Sequence, residues 1–199
     1  MTKLLLATTN RGKIREYRSL LKGLALELVT PDELGIKIEV EENYPSYEEN
    51  AGMKARAYSA AGHLTTLADD SGLEVDALGG EPGIRSARAA GNSAGDEDRI
   101  KHLLARMKDV PWEKRTARFK CVIAIAISEE RIELCHGECK GFIAFEPKGK
   151  KGFGYDPVFY LPEFDKTIAE LPPETKNKIS HRGKAAREAY RILEKLVLK

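Results

Sequence analysis

Two adjacent carboxylates, Asp69 and Asp70, stand between Leu64 to Ala68, which reads as a strand, and the pair Ser71-Gly72. A strand sends neighbouring side chains to opposite faces, so both could meet one ligand only if the chain turned there. Ser71-Gly72 is suited to such a turn, which would aim one carboxylate into a cleft at the strand end and leave the other to brace it. Carboxylate oxygens at a strand end suit Mg²⁺, a hard cation that keeps several waters and also meets phosphate oxygens. The plain alternative is a solvated acidic turn. A second polar cluster, Thr8-Thr9-Asn10-Arg11-Gly12-Lys13, follows the apolar Leu4 to Ala7 and precedes Ile14, Tyr17 and Leu21 at helical spacing. Strand, polar turn and helix in that order present backbone N–H groups to an anion. The Walker-type phosphate loop is absent, and an ordinary strand–helix connection fits equally well. Further along stand Glu42, Lys54, Phe153, Lys176, His181 and Arg182. Cations, two carboxylates and a ring for stacking together match a phosphate chain with its metal and a base. Cations alone would instead point to a polyanion groove.

These residues need elements to hold them. Leu4 to Ala7 and Ala25 to Val29 read as short strands, and Lys37 to Glu41 alternates as a half-exposed strand should. Tyr47 to Ala61 and Asp96 to Met107 read as helices, with His63 on a surface loop after Gly62. Gly79 to Gly83 and the stretch through Gly91 are loops, and Pro111-Trp112 ends the second helix. Arg118 to Ser128 contains the longest apolar run and should be a central strand buried on both faces. Arg131 to His136 and Cys139 to Phe145 are expected as two further strands, and Val158 to Tyr160 as a short one. Gly149 to Pro157 is a glycine-dense loop. Ser180 is placed as the N-cap of a last helix carrying Ala186, Ala189, Tyr190, Leu193 and Leu196. Strands alternating with helices, then strands and a closing helix, give an α/β protein with a mixed sheet. Its ligands would lie beyond strand ends.

The 199 residues allow one large domain or two lobes sharing a sheet. A net charge of +2 is too balanced for a dedicated nucleic-acid binder, so local cationic clusters matter more than the total. Three cysteines, Cys121, Cys135 and Cys139, are an odd number on β-type segments and fit a reducing compartment. Cys135-His136 and Cys139 lack zinc-ligand spacing and a second pair. No signal peptide or apolar run of about 20 residues is seen, so no membrane span is expected and the cytoplasm is the default.

Five motifs occur together: Thr8-Thr9-Asn10-x-x-Lys13, Ala68-Asp69-Asp70-Ser71-Gly72-Leu73, Gly80-x-Pro82-Gly83-x-x-Ser86-Ala87-Arg88, Gly152-Phe153-Gly154-Tyr155-Asp156-Pro157 and Ser180-His181-Arg182-Gly183. In this order they resemble the pyrophosphatases of non-standard purine nucleoside triphosphates, the inosine/xanthosine triphosphatase or dITP/XTP pyrophosphatase family, over nearly the whole chain. The resemblance implies a homodimer that hydrolyses ITP, dITP and XTP to the monophosphate and pyrophosphate with Mg²⁺. It implies an elongated mixed sheet flanked by helices, in two lobes with the active-site cleft between them. Asp70 would be proton acceptor and metal ligand, and Glu42 a second metal ligand. Thr8, Thr9, Asn10, Arg11, Gly12, Lys13, Lys54 and Ser71 would hold phosphates. Phe153, Gly154, Tyr155, Asp156, Lys176, His181 and Arg182 would hold the base and sugar. Two departures stand out. Asn43-Tyr44-Pro45 replaces a glycine-containing turn, which leaves Glu41 and Glu42 both open as the second ligand. Lys151 stands where many relatives have Gly.

Two other classes use some of the same residues. A non-catalytic nucleotide or RNA-binding module would need the cations and Phe153 but not Asp70 and Glu42. A phosphomonoesterase would release orthophosphate rather than pyrophosphate.

Overall fold

The computed structural model describes residues 2–91, 93–128 and 130–197, and its strands form one mixed sheet. The hydrogen-bonded order is β2 (Leu26–Val29), β1 (Thr2–Leu6), β3 (Thr66–Val75), β5 (Thr116–Ala126), β6 (Ile132–Ile143), β7 (Phe159–Leu161) and β8 (Lys166–Thr167). A two-residue strand, β4 (Pro82–Gly83), pairs with β3 off this path. β1 runs parallel to β2 and β3, whereas β4 opposes β3 and β7 opposes both β6 and β8. The helices are α1 (Arg11–Leu20), α2 (Tyr47–Gly62), α3 (Asp96–Arg106), α4 (Pro173–Ile179) and α5 (His181–Val197). The expected α/β class with a mixed sheet therefore holds. Among the described residues, no helix is long and apolar enough to cross a membrane.

The chain divides into two compact units. The first takes residues 2–70, 121–137 and 182–197. Its core joins Leu4, Leu6 and Leu67 of the sheet to Tyr17 and Leu21 of the α1 region and to Ala185, Ala189 and Leu193 of α5. The part of β5 from Cys121 to Ala126 is buried at every residue, as the unbroken apolar run predicts. The second unit takes residues 71–120 and 138–181. There Ile100 and Leu103 of α3, with its C-cap residue Met107, pack with Leu73, Val75, Ala117, Phe119 and Ile143. In this half β5 alternates, burying Ala117 and Phe119. The intervening Arg118 and Lys120 pair with Glu74 across the sheet, at 2.9 and 3.2 Å. A helix covers one face here, and cross-strand charges occupy the other.

Four expectations need correction. Asp69-Asp70-Ser71-Gly72 makes no turn, because β3 continues through it to Val75. Residues 37–41 pair with no strand, although Ile38, Val40 and Glu42 are half-buried and the residues between them exposed. That alternation reports which side of the segment meets the protein, not a ladder. The two strands expected over 131–145 are one, β6, with Gly137 accommodated inside it. Finally, α1 begins at Arg11, so Arg11, Gly12 and Lys13 form its first turn rather than a loop. His63 is exposed at the left-handed cap of α2, as expected.

Candidate active site

Strand alternation separates the two aspartates and gives each its own surroundings. Asp69 shares a face with Leu67, toward α1 and α5. There its Oδ1 is 2.9 Å from Lys13 Nζ and its Oδ2 accepts from Arg182 Nε at 3.3 Å. Arg182 Nη1 also donates to Glu16 at 2.7 Å. Lys13 and Glu16 lie three residues apart on α1, which puts both on one helix face. The result is a chain of alternating charges, Lys13, Asp69, Arg182 and Glu16. Burial alone would push the Asp69 carboxyl up, but Lys13, Arg182 and Lys54 outweigh it and hold it well below the usual carboxylate range. Cys121 lies beside it, and burial pushes that thiol up to about 12.

Asp70 faces the other way, toward α2, where Asn50 Nδ2 donates to its Oδ2 at 3.1 Å. Asn50 is itself fixed, since its Oδ1 accepts from Tyr44 N at 3.1 Å and its Nδ2 also donates to Tyr44 O. With its oxygen so engaged, only the amide nitrogen can face Asp70. Burial raises the Asp70 pKa to about 6, with Glu42 adding to the rise and Lys13 and Lys54 opposing it. Lys54 pairs with Glu42, whereas the exposed Glu41 accepts from Asn43. Of the two candidate glutamates, Glu42 is the one that pairs with Lys54 and whose charge acts on Asp70. Burial works against the charge on Lys54, yet Glu42, Asp69 and Asp70 prevail and its pKa is raised.

The helix start expected to offer amides to an anion is capped from within. Asn10 Oδ1 accepts from Gly12 N at 2.8 Å and Lys13 N at 3.2 Å, and Thr8 Oγ1 accepts from Asn10 N. Thr9, Asn10 and Arg11 are exposed at this cap. Asn10 is the favoured type there, and it supplies the partner those amides lack.

Ser71 and the remaining candidates, Arg182 apart, belong to the second unit. Gly152 and Gly154 have φ of +79° and +64°, a region that favours glycine, and they flank Phe153. Phe153 N donates to Asp156 Oδ2 at 2.8 Å, and Gly154 N to Asp96 Oδ2 at 2.7 Å. Lys176 pairs with Asp156 where both are buried, and its Nζ stands 4.8 Å from the Phe153 ring centre. Tyr155 is buried and donates its hydroxyl to Ser86 O. His181 stacks on Phe119, ring centres 4.6 Å apart. The Arg182 guanidinium pairs with Asp69 and Glu16.

Sequence reasoning overlooked Asn50, Glu16 and Asp96. Asn50 and Lys54 are four apart on α2, so they share a helix face, and that spacing was a usable signal. Asp96 carried none, because its partner lies 58 residues away.

The donor set fits a small hard cation. Asp70 and Glu42 supply carboxylate oxygens, and the upward pressure of Glu42 on Asp70 is what a divalent ion would relieve. Among the described residues, no group of three or more His, Cys, Asp and Glu could hold a metal unaided. Two carboxylates completed by substrate phosphates is the usual Mg²⁺ arrangement.

Known proteins resemble this chain along almost its full length. The Ham1 family model matches residues 4–192. The dITP/XTP pyrophosphatase of Desulforamulus reducens is 49% identical over 196 residues, 98% of each chain, and that of Bacillus subtilis is 43% identical with the same coverage. Among solved structures, a HAM1 protein from Coxiella burnetii has a TM-score of 0.89 at 41% identity, covering 98% of this chain and 100% of its own. The Ham1 protein of Staphylococcus aureus has 0.86 at 39%, with the same coverage. On this agreement of sequence and fold, the chain belongs to the Ham1 family.

Proposed function

We propose that the protein is a Mg²⁺-dependent pyrophosphatase of non-standard purine nucleoside triphosphates, converting ITP, dITP and XTP to monophosphate and pyrophosphate. The observation that carries this reading is the Asp70 environment. A carboxylate raised to about 6, beside Glu42, Lys13 and Lys54, is suited to accept a proton near neutral pH. Relatives named dITP/XTP pyrophosphatase support the substrate class.

In the proposed reaction a water oxygen bonds to the α-phosphorus while the bond to the bridging oxygen breaks, and pyrophosphate leaves with that oxygen. Asp70 takes the water proton, and Asn50 holds the carboxylate in place. Lys13 and Lys54 offset charge gathering on the departing phosphates. Asp70 and Glu42 would hold Mg²⁺, which when bound neutralises phosphate charge and acidifies a water. Asp69 and Arg182 brace the Lys13 side. Phe153, Lys176 and His181 are assigned to the base. Hypoxanthine and xanthine carry a 6-oxo acceptor where adenine has a 6-amino donor, so a donor here favours the former and leaves adenine mismatched. A homodimer in the cytoplasm is the setting this reading adopts.

The test is a panel of ITP, dITP, XTP, GTP and ATP with Mg²⁺, scored for both inorganic products. Pyrophosphate from ITP, dITP and XTP in Mg²⁺, with turnover lost in EDTA, is expected. Orthophosphate as the first product, or ATP used as well as ITP, would overturn the reading.

A further inference from the structure

The loop that carries Phe153 is held by two carboxylates at consecutive peptide groups. Asp156, three residues on in the same loop, takes Phe153 N. Asp96, from the first turn of α3, takes Gly154 N. We infer that Asp96 is a positioning residue for base recognition, fixing the Phe153 ring from outside the loop.

The geometry supplies the reason. Gly152 and Gly154 both have positive φ, so the backbone on either side of Phe153 is built from the residue type with the widest conformational range. Such a segment keeps one conformation only if its polar groups are tied. At Gly152 the space is closed as well, since a side chain there would collide with the Asp156 carboxylate. At Gly154 nothing lies within 4 Å of where a Cβ would be, so no close contact fixes that peptide group, and the hydrogen bond to Asp96 is what ties its N–H. A carboxylate acceptor makes this one of the stronger kinds of N–H···O bond. Asp96 is in turn held by Arg99, whose Nη1 donates to Oδ1 at 2.7 Å while Nη2 donates to Ala94 O at 2.7 Å. The carboxylate therefore uses one oxygen on its own helix and the other on the loop. Losing it frees the Gly154 peptide and lets the Phe153 ring leave its place over Lys176.

This inference rests on the proposed use of Phe153 against the base, and the test separates the two. Asp96→Ala, Asp96→Asn and Asp98→Ala are compared with the parent protein. Asp98 lies in the same first turn but accepts from Gly95 N, at 3.2 Å, and so serves as a helix-end control. Asp96→Ala should raise KM for ITP by about tenfold, the worth of one hydrogen bond to a charged acceptor, with kcat changed far less. Discrimination between ITP and ATP should fall with it. Asp96→Asn keeps an acceptor oxygen and should recover most of the loss, while Asp98→Ala should leave KM unmoved. Amide hydrogen exchange at Phe153 and Gly154 should quicken in Asp96→Ala alone. A KM for Asp96→Ala near that of the parent, or an equal effect of Asp98→Ala, would overturn the inference. If the parent does not turn over ITP, the functional reading has failed. The exchange result then still decides whether Asp96 holds the loop, and unchanged exchange would sink the inference on its own.

Discussion

Asp69 and Asp70 are neighbours on β3 but are driven in opposite directions. Asp69 is held ionised by Lys13 and Arg182, and Asp70 is raised to about 6 by burial, with Glu42 adding. The cause is strand geometry, which hands one carboxylate to the α1 and α5 side and the other to α2. One position anchors cations, and the next keeps a proton affinity useful for chemistry.

The raised pKa of Asp70 has a stability cost in the metal-free protein. Its folded value lies above the ordinary value of about 3.9, so the native state holds the proton more tightly. This group's favourable contribution is complete below pH ~4 and is lost as pH rises through about 6. Asp70→Asn should therefore stabilise the protein in EDTA above pH 7, by on the order of 3 kcal/mol for a pKa moved from about 4 to about 6. The gain should shrink toward pH 4, and turnover should be abolished. Melting temperatures across pH, with and without Mg²⁺, check both.

Asp69 has the opposite sign. Its lowered pKa means its contribution is present above the unfolded value and lost only as pH falls through the folded one. Asp69→Asn leaves Arg182, 2% exposed, with Glu16 as the counter-charge. Breaking a buried pair from one side costs about 3–5 kcal/mol, so urea denaturation should show a loss of that order at pH 7. The gap from the parent should persist to pH 5 and narrow only below about pH 4.

Much of this was legible in the sequence. The run Val122 to Ile127 announced a strand buried on both faces, and the spacing of Ile100, Leu103 and Met107 announced the buried face of α3. Lys13 and Lys54, two of the expected phosphate-holding cations, both act electrostatically on Asp70. Tertiary pairing was not legible. Ser-Gly reads as a turn locally, but neighbouring strands keep β3 extended through it, and Gly137 is held in β6 in the same way. The ion pairs of Arg182 were not legible because its counter-charges, Asp69 and Glu16, are 113 and 166 residues away.

Asn50 links Asp70 to the segment just after Glu42 through Tyr44. Asn50→Ala should cost about 1–3 kcal/mol by leaving Tyr44 backbone groups without their partner, and should lower kcat. Asn50→Asp keeps the shape but sets a third carboxylate beside Asp70 and Glu42. It should harm activity more than Asn50→Ala at pH 8 and less at pH 5, where the new group is partly protonated. Parallel pH–rate profiles of the two variants check this.

Lys176 and Asp156 form a buried pair, at 5% and 2% exposure, so either one alone is an expensive residue to keep. Lys176→Met should lose about 3–5 kcal/mol because it takes the ammonium away from the buried Asp156 carboxyl. Asp156→Asn should lose a similar amount from the other side, although an amide oxygen can still accept from Phe153 N. The double variant buries no charge, and a well-packed neutral pair can match an ion pair in stability. It should therefore recover most of the loss, giving a coupling above about 2 kcal/mol in a double-mutant cycle. ITP affinity should behave differently, because the cation over the Phe153 ring is gone in the double variant whatever its stability. A stable double variant with weak ITP binding would separate the two roles of Lys176. Full ITP affinity in that variant would remove Lys176 from the base side altogether.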